Sequence, residues 1–558
     1  MKTIPIALIL VALVMGMAVT TNAQGGPGGP GGPPPGLPPV PVPTGNAITP
    51  AKAVLGKILF WDEQLSSDNR MACGTCHRGG AGGGDPRVGV NPGADLAFGT
   101  PDDVFASPSV RRADSNNSFM PDPEFNLFPQ VTGRTAPTMV NAAYAPQMFW
   151  DGRAGTVFNQ PVSGINILPA GGALENQAAG PPLSGSEMAH DNRDWAEITA
   201  KLASVTPLQL ASNIPSDMAA ALNNDSSYPA LFQAAFGTSQ ITSARIAMAI
   251  ATYERILISD QTPFDAFIGG NPNALTAAQQ AGLQTFNNNG RCNVCHTGPL
   301  TTDQTFRNIG VRPPIEDVGR QAVTNNLQDL GRFKVPTLRN VGLRARFMHN
   351  GQFTNLNQVA NFYARGGDFA QNIDPVMGQI NLPPNERNNL VDFLMNGLTD
   401  PRVAAEQFPF DRPTLNSEVN PNGSMILGAD LPGSGNIAPI MMAFDPTNIG
   451  NVDYRLGVTT TLGATTAYLI YSDALAAPGT TYFGTPFTPD PLHPSFDFIT
   501  VPTFGAGVGD GYATLHFPIP NLPALIGFTR YVQWLVIDPG STSTLGVSAS
   551  RGAKLVIL

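Results

Sequence analysis

The chain is most constrained by a pattern it uses twice: Cys73-Gly74-Thr75-Cys76-His77 and Cys292-Asn293-Val294-Cys295-His296 both read C-x-x-C-H. All four cysteines of the 558 residues lie in these two pairs, and two of only six histidines directly follow them. A Cys₄ zinc site, two local disulfides or a pair of thioredoxin-like motifs would each use the cysteines, but none of them needs the histidine. The spacing suits covalent c-type haem: two thiols reach the two vinyl groups of one porphyrin, and the next imidazole lies under the iron. The expected attachment points are Cys73, Cys76, Cys292 and Cys295, with His77 and His296 as proximal ligands.

Such haem is attached outside the cytoplasm, and the N-terminus agrees. Met1-Lys2-Thr3 precedes an apolar run from Ile4 to Val19 that closes with Thr21-Asn22-Ala23, the layout of a secretory signal over residues 1–23. The expected location is the periplasm or the extracellular face, with no transmembrane segment in the mature chain. A formal net charge of −10 argues against nucleic acid as a partner and would steer in an electron donor carrying a positive patch.

The length exceeds what one core serves, so several domains are expected. Residues 24–47 are dominated by Gly and Pro and read as a solvated linker, with the fold starting near Ile48. From there to about 405, helical stripes such as Ile246, Ile250, Tyr253, Leu257 and Leu390, Phe393, Leu394, Leu398 alternate with long loops. Thr276 and Gln279 form a capping box that opens a helix leading into the second motif. Past about 415, short apolar and aromatic runs such as Thr466–Tyr471, Tyr531–Ile537 and Lys554–Ile557 predict an all-β, sandwich-like module over 416–558, to which no chemistry is assigned. The fold class is therefore multidomain: two mainly α-helical cytochrome c-type haem domains, then an all-β sandwich-like domain.

An enzyme with two haems needs one iron with an open face beside proton-handling groups and a second that is filled and stores an electron. No histidine occurs between His77 and His190, and the loop after the first motif is Gly79-Gly80-Ala81-Gly82-Gly83-Gly84, so no local histidine caps the first haem. Met71, Met120 and Met139 remain alternative caps, against their ordinary role of filling core gaps.

Several further segments resemble the bacterial di-haem cytochrome c peroxidase and MauG family. Leu55-Gly56-Lys57-Ile58-Leu59-Phe60, Ala136-Pro137-Thr138 and Phe149-Trp150-Asp151-Gly152-Arg153-Ala154 are similar to its first haem domain. Phe333-Lys334-Val335-Pro336-Thr337-Leu338-Arg339-Asn340, Met348-His349-Asn350-Gly351 and Phe362-Tyr363-Ala364-Arg365-Gly366-Gly367 are similar to its second. The resemblance spans about 50–400 in the family's order. It implies an N-terminal peroxidatic domain at 48–238 and a C-terminal electron-transfer domain at 239–405.

The family lines the open face of its first haem with a glutamine, a proline and a glutamate. Gln177, Pro181 and Glu187 reproduce that spacing after an insertion at 155–173, which makes Glu187 the implied general acid/base and Gln177 its neighbour. A surface glutamate in a Gly/Pro loop is the alternative. Trp150 stands where the family places an indole between the haems, as relay or as packing residue. Fourteen residues beyond His349, where redox-switched members carry a methionine and MauG a tyrosine, this chain has Tyr363, the implied sixth ligand of the second iron. A core tyrosine, with Met348 or Met377 as ligand, is the competing reading.

The resemblance also implies a calcium ion between the haem domains. The asparagine that helps hold it is replaced by Thr135 and the Thr-x-Pro segment by Arg344-Ala345-Arg346, whose charges disfavour a cation. The implied cofactors are two haem c groups. The implied reaction is reduction of hydrogen peroxide with electrons from a small donor protein, a cytochrome c or a cupredoxin. The alternatives are MauG-like oxidation of a partner protein through high-valent haems and a plain di-haem electron-transfer cytochrome.

Overall fold

The computed structural model describes residues 36–558. The expected signal segment 1–23 and the first part of the linker lie outside the described residues. Among the described residues no helix is long and apolar enough to cross a membrane.

The largest apolar core forms where helix Pro50–Trp61 packs on helix Ser243–Glu254. Thr49 caps the first of these by accepting from Lys52 N, and Thr242 caps the second by accepting from Arg245 N, each satisfying a backbone donor left free by the first helical turn. Leu55, Ile58, Leu59, Ile246, Ile250 and Tyr253 are buried in that core, as the helical spacing predicts. Leu257 is buried too, but in the turn after the helix has ended at Glu254.

A second apolar cluster joins helix Ala277–Asn287 to helix Pro384–Asp392 and its π-helical continuation Phe393–Gly397. The capping box forms as expected: Gln279 N donates to Thr276 Oγ1 at 3.2 Å and Thr276 N to Gln279 Oε1 at 2.9 Å.

The C-terminal region is β-rich. A three-stranded antiparallel sheet, Ile440–Met442, Arg455–Leu462 and Val508–His516, faces a six-stranded one built around Thr466–Ser472 and Thr529–Ile537. Leu456, Val458, Leu469 and Trp534 share the apolar layer they enclose, each pointing inward by the alternation of its strand. This module is tied to the first haem-motif region. Arg455, ion-paired to Asp445 at 2.8 Å and buried, donates to Asn117 O at 3.0 Å, and Lys201 pairs with Asp453 at 2.8 Å. Phe119, Leu127 and Met442 form an apolar contact across the same seam.

Residues 36–47 depart from the expected solvated tether. Pro43 and Asn46 are buried, Tyr144 donates its hydroxyl to Pro38 O at 2.8 Å, and Asn46 Nδ2 donates to Glu175 Oε1 at 2.7 Å. A Gly/Pro-rich composition forbids a core of its own, but it leaves backbone and amide groups free to bond to a neighbouring one.

Candidate functional site

The first motif forms the short helix Cys73–Cys76, which lies against the main core. Gly74 is required there by close approach: a Cβ would come within 2.2 Å of the buried Trp61 indole. Neither cysteine is in a disulfide, and burial pushes the Cys76 thiol up to about 12 despite the nearby Arg87 guanidinium. Arg87 Nη2 reaches Cys76 Sγ at 3.4 Å and is held by Asp85 at 2.8 Å.

The loop Gly79–Gly84 turns back under the motif through left-handed Gly82 and Gly83, where a Cβ would clash with Asn340 O at 2.6 Å and Thr138 Oγ1 at 2.1 Å. His77 Nδ1 donates to Gly83 O at 3.2 Å. That fixes the tautomer and leaves Nε2 as the lone-pair atom, the arrangement of a ligating imidazole.

The second motif forms a 3₁₀ turn, Cys292–Val294. His296 Nδ1 faces Thr301 O and Pro336 O, each at 3.1 Å, which again leaves Nε2 free. The other histidines differ. Both nitrogens of His190 are occupied, by Asp191 O and Glu197, and His493 and His516 bond to Ser495 and Ser118.

His296, Cys292 and Cys295 open onto a cavity walled mainly by apolar side chains, about 1530 Å³ when the open solvent at its mouth is included. Tyr363, on helix Leu356–Ala364 capped by Asn355, lines this cavity together with Met348 and Met377. Its phenol is held above the ordinary range by burial, and among the described residues no protein group bonds to its hydroxyl. A tyrosine built only into the core would place that hydroxyl on a partner. An apolar hollow with two thiols and a tautomer-fixed imidazole on its wall fits haem c.

Trp150 also lines this cavity. Its indole Nε1 donates to Thr135 O at 2.8 Å, and Lys334 N donates to Trp150 O at 2.7 Å. Arg134 braces the junction, bonding Asp151 on the first-motif side and Asp317 on the second at 2.7 Å each. His349 completes the wall, stacked on Phe333 at 3.6 Å and 6.4 Å from the Trp150 ring centre, and burial lowers its pKa to about 4, so it is neutral.

Glu187 lies in the turn after Ser184, half-buried, with its carboxyl raised by burial against the opposing pull of Arg153 and Ser184. Its charge adds a minor push to the Cys73 thiol, after burial and Glu254. Gln177 is half-buried on helix Ala173–Ala178. That helix is anchored by the fully buried Glu175–Arg255 pair at 2.7 Å. Of the alternative caps, Met139 packs beside Gly83, the glycine whose carbonyl accepts from His77.

The calcium position is filled by other groups. Thr135 Oγ1 donates to Met348 O at 2.9 Å, Arg344 Nη2 to Ala136 O at 2.8 Å and Arg346 Nη1 to Gly351 O at 3.3 Å. Among the described residues no group of three or more His, Cys, Asp or Glu side chains is placed to hold a metal ion. These residues do not fit calcium.

Glu254 and Lys334 carry no assigned role in the sequence, Arg344 appears there only as a charge that disfavours calcium, and His349 only as the reference point for Tyr363. Lys334 and His349 lay inside recognised motifs, which was the available signal, whereas Glu254 carried none.

A family model described as di-haem cytochrome c peroxidase matches residues 50–273. Cytochrome-c peroxidase IdrP1 of Pseudomonas sp. (strain SCT) is 28% identical over 449 residues, covering 75% of this chain and 97% of that protein. Methylamine utilization protein MauG of Methylophilus methylotrophus is 27% identical over 361 residues, covering 64% and 85%. Cytochrome c peroxidase Ccp of Escherichia coli (strain K12) is 29% identical over 376 residues, covering 66% and 63%.

Proposed function

With residues 50–273 belonging to the di-haem cytochrome c peroxidase family, we propose that the protein reduces hydrogen peroxide to water, using electrons that a small redox protein delivers through the second motif to the first. The observation that carries this is the apolar cavity bearing Cys292, Cys295 and the tautomer-fixed His296 on one wall. Haem c, when bound, supplies the redox-active iron at each motif.

The chain's own residues divide the remaining work. Cys73, Cys76, Cys292 and Cys295 are the attachment thiols. His77 and His296 present Nε2, made more basic by donation from Nδ1 to backbone carbonyls. Glu187, whose raised pKa keeps a proton available, protonates the departing peroxide oxygen, and Gln177 orients the bound oxidant. Trp150 stands in the wall between the two motifs, where an indole suits electron passage.

A second reading, peroxide-dependent oxidation of a partner protein like that implied by the MauG resemblance, is favoured by one observation. The hydroxyl of Tyr363 faces the cavity without a protein partner, and an anionic oxygen donor would stabilise oxidised iron.

Export to the periplasm or cell surface belongs to the same proposal. The test is the ferric spectrum of the exported protein with stopped-flow addition of peroxide: a high-spin component that reacts rapidly is expected. A chain without thioether-bound haem, or with both irons low-spin and inert to peroxide, overturns the proposal.

A further inference from the structure

Apart from the solvent-exposed Arg291, the cavity beside the second motif is lined by basic side chains of two kinds. Arg307 is paired with Asp303 and Asp374, at 3.0 and 2.9 Å, and Arg339 with Asp265 at 2.5 Å. Among the described residues Lys334 and Arg344 have no acidic partner. Lys334 Nζ donates only to Gln147 O at 3.0 Å, and Arg344 Nη2 only to Ala136 O at 2.8 Å. Both are deep in the protein and line the cavity.

Burial alone lowers Lys334 to about 8 and Arg344 to about 10, with no opposing carboxylate. An unpaired cation inside a protein is costly and is normally compensated by an anion. Two uncompensated cations on one cavity wall therefore call for two negative charges inside it or at its mouth.

We propose that Lys334 and Arg344 are the counter-ions of carboxylates carried by the cavity's occupant, which, on the function proposed above, are the propionates of the second haem. The two differ in reach. Lys334 sits behind Trp150, where it lines this cavity and the smaller pocket next to it. Arg344 also packs on Gly84, where a Cβ would lie 2.6 Å from its Nη1, and its charge is felt at His77. Arg344 thus stands between the two motifs and acts on both irons. The paired Arg307 and Arg339 have carboxylates of their own and are not recruited.

The test is a spectroelectrochemical titration of the holoprotein, with haem content counted by pyridine haemochrome. Removing a nearby positive charge disfavours the reduced iron, so Lys334→Gln should lower the second haem's reduction constant about tenfold, roughly 59 mV for one electron. Lys334→Arg should restore it. Arg344→Gln should lower both haems, and Arg307→Gln should move neither by more than about threefold.

Unmoved potentials in Lys334→Gln and Arg344→Gln with both haems attached would overturn the proposal, as would an equal shift in Arg307→Gln. Absence of haem from the wild-type chain would instead overturn the function proposed above. Should the variants fail to fold, resonance Raman of the wild-type protein decides. Propionate bending bands of ion-paired carboxylates support the assignment, and those of freely hydrated carboxylates sink it.

Discussion

The two motif regions are built from opposite electrostatics. Around Cys73 the buried groups that burial raises are acids: Glu187, opposed only in part by Arg153 and Ser184, and Glu254, opposed in part by Arg255 and with no hydrogen-bond partner for its Oε2 among the described residues. Around Cys292 the uncompensated groups are bases, Lys334 and Arg344. Buried acids with raised pKa values hold protons to release, whereas buried bases hold a negative charge in place. The asymmetry matches a division in which the first centre handles protons and the second stores charge.

The sharpest way to break this contrast is Glu187→Gln. Peroxide cleavage measured by stopped flow should slow by about 10²–10⁴-fold while the second centre's spectrum stays unchanged. An unaltered rate would remove the acid from the first site. A smaller effect is expected at the wall between the centres: Trp150→Phe should slow reduction of the first haem by the second roughly tenfold, equivalent to about 1.4 kcal/mol of barrier, with haem content intact.

Tyr363→Phe should change the spectrum of the second centre yet alter peroxide cleavage at the first by less than about tenfold. If the spectrum does not change, the phenol is not a ligand and the second site is filled by Met348, Met377 or nothing.

The mildest probe concerns stability alone. Glu254, raised by burial from the usual carboxyl value to about 8, favours the fold fully below its unfolded pKa. That contribution is lost as pH rises from about 4.5 through about 8. Thermal unfolding followed across this window should show wild-type stability declining more steeply than that of Glu254→Gln; equal slopes would mean that the carboxyl is not buried as described.

Much of the local architecture was legible in the residues. The Thr276–Gln279 capping box, the helix carrying Tyr363 and the strands around Tyr468 and Trp534 form where spacing and alternation place them. These are effects of neighbours within a turn or a strand, and a sequence displays neighbours. The docking of residues 36–47 was not legible, because Asn46 Nδ2 donates to Glu175 and Met248, well over a hundred positions away. The same holds for the seam between the β region and the first motif, where Arg455 reaches Asn117.

By itself the sequence determined the chemistry of attachment: two thiols and an imidazole at fixed spacing are set by covalent connection and survive in any fold that can wrap a porphyrin. Only the tertiary structure decided which charges stand uncompensated. Lys334, Arg344, Arg307 and Arg339 are alike as letters. Arg307 has one carboxylate nearby in sequence, Asp303, but Asp374 and the Asp265 that pairs with Arg339 come from segments far along the chain, and in a low-dielectric interior the distance to a carboxylate decides whether a charge is neutralised or left to bind.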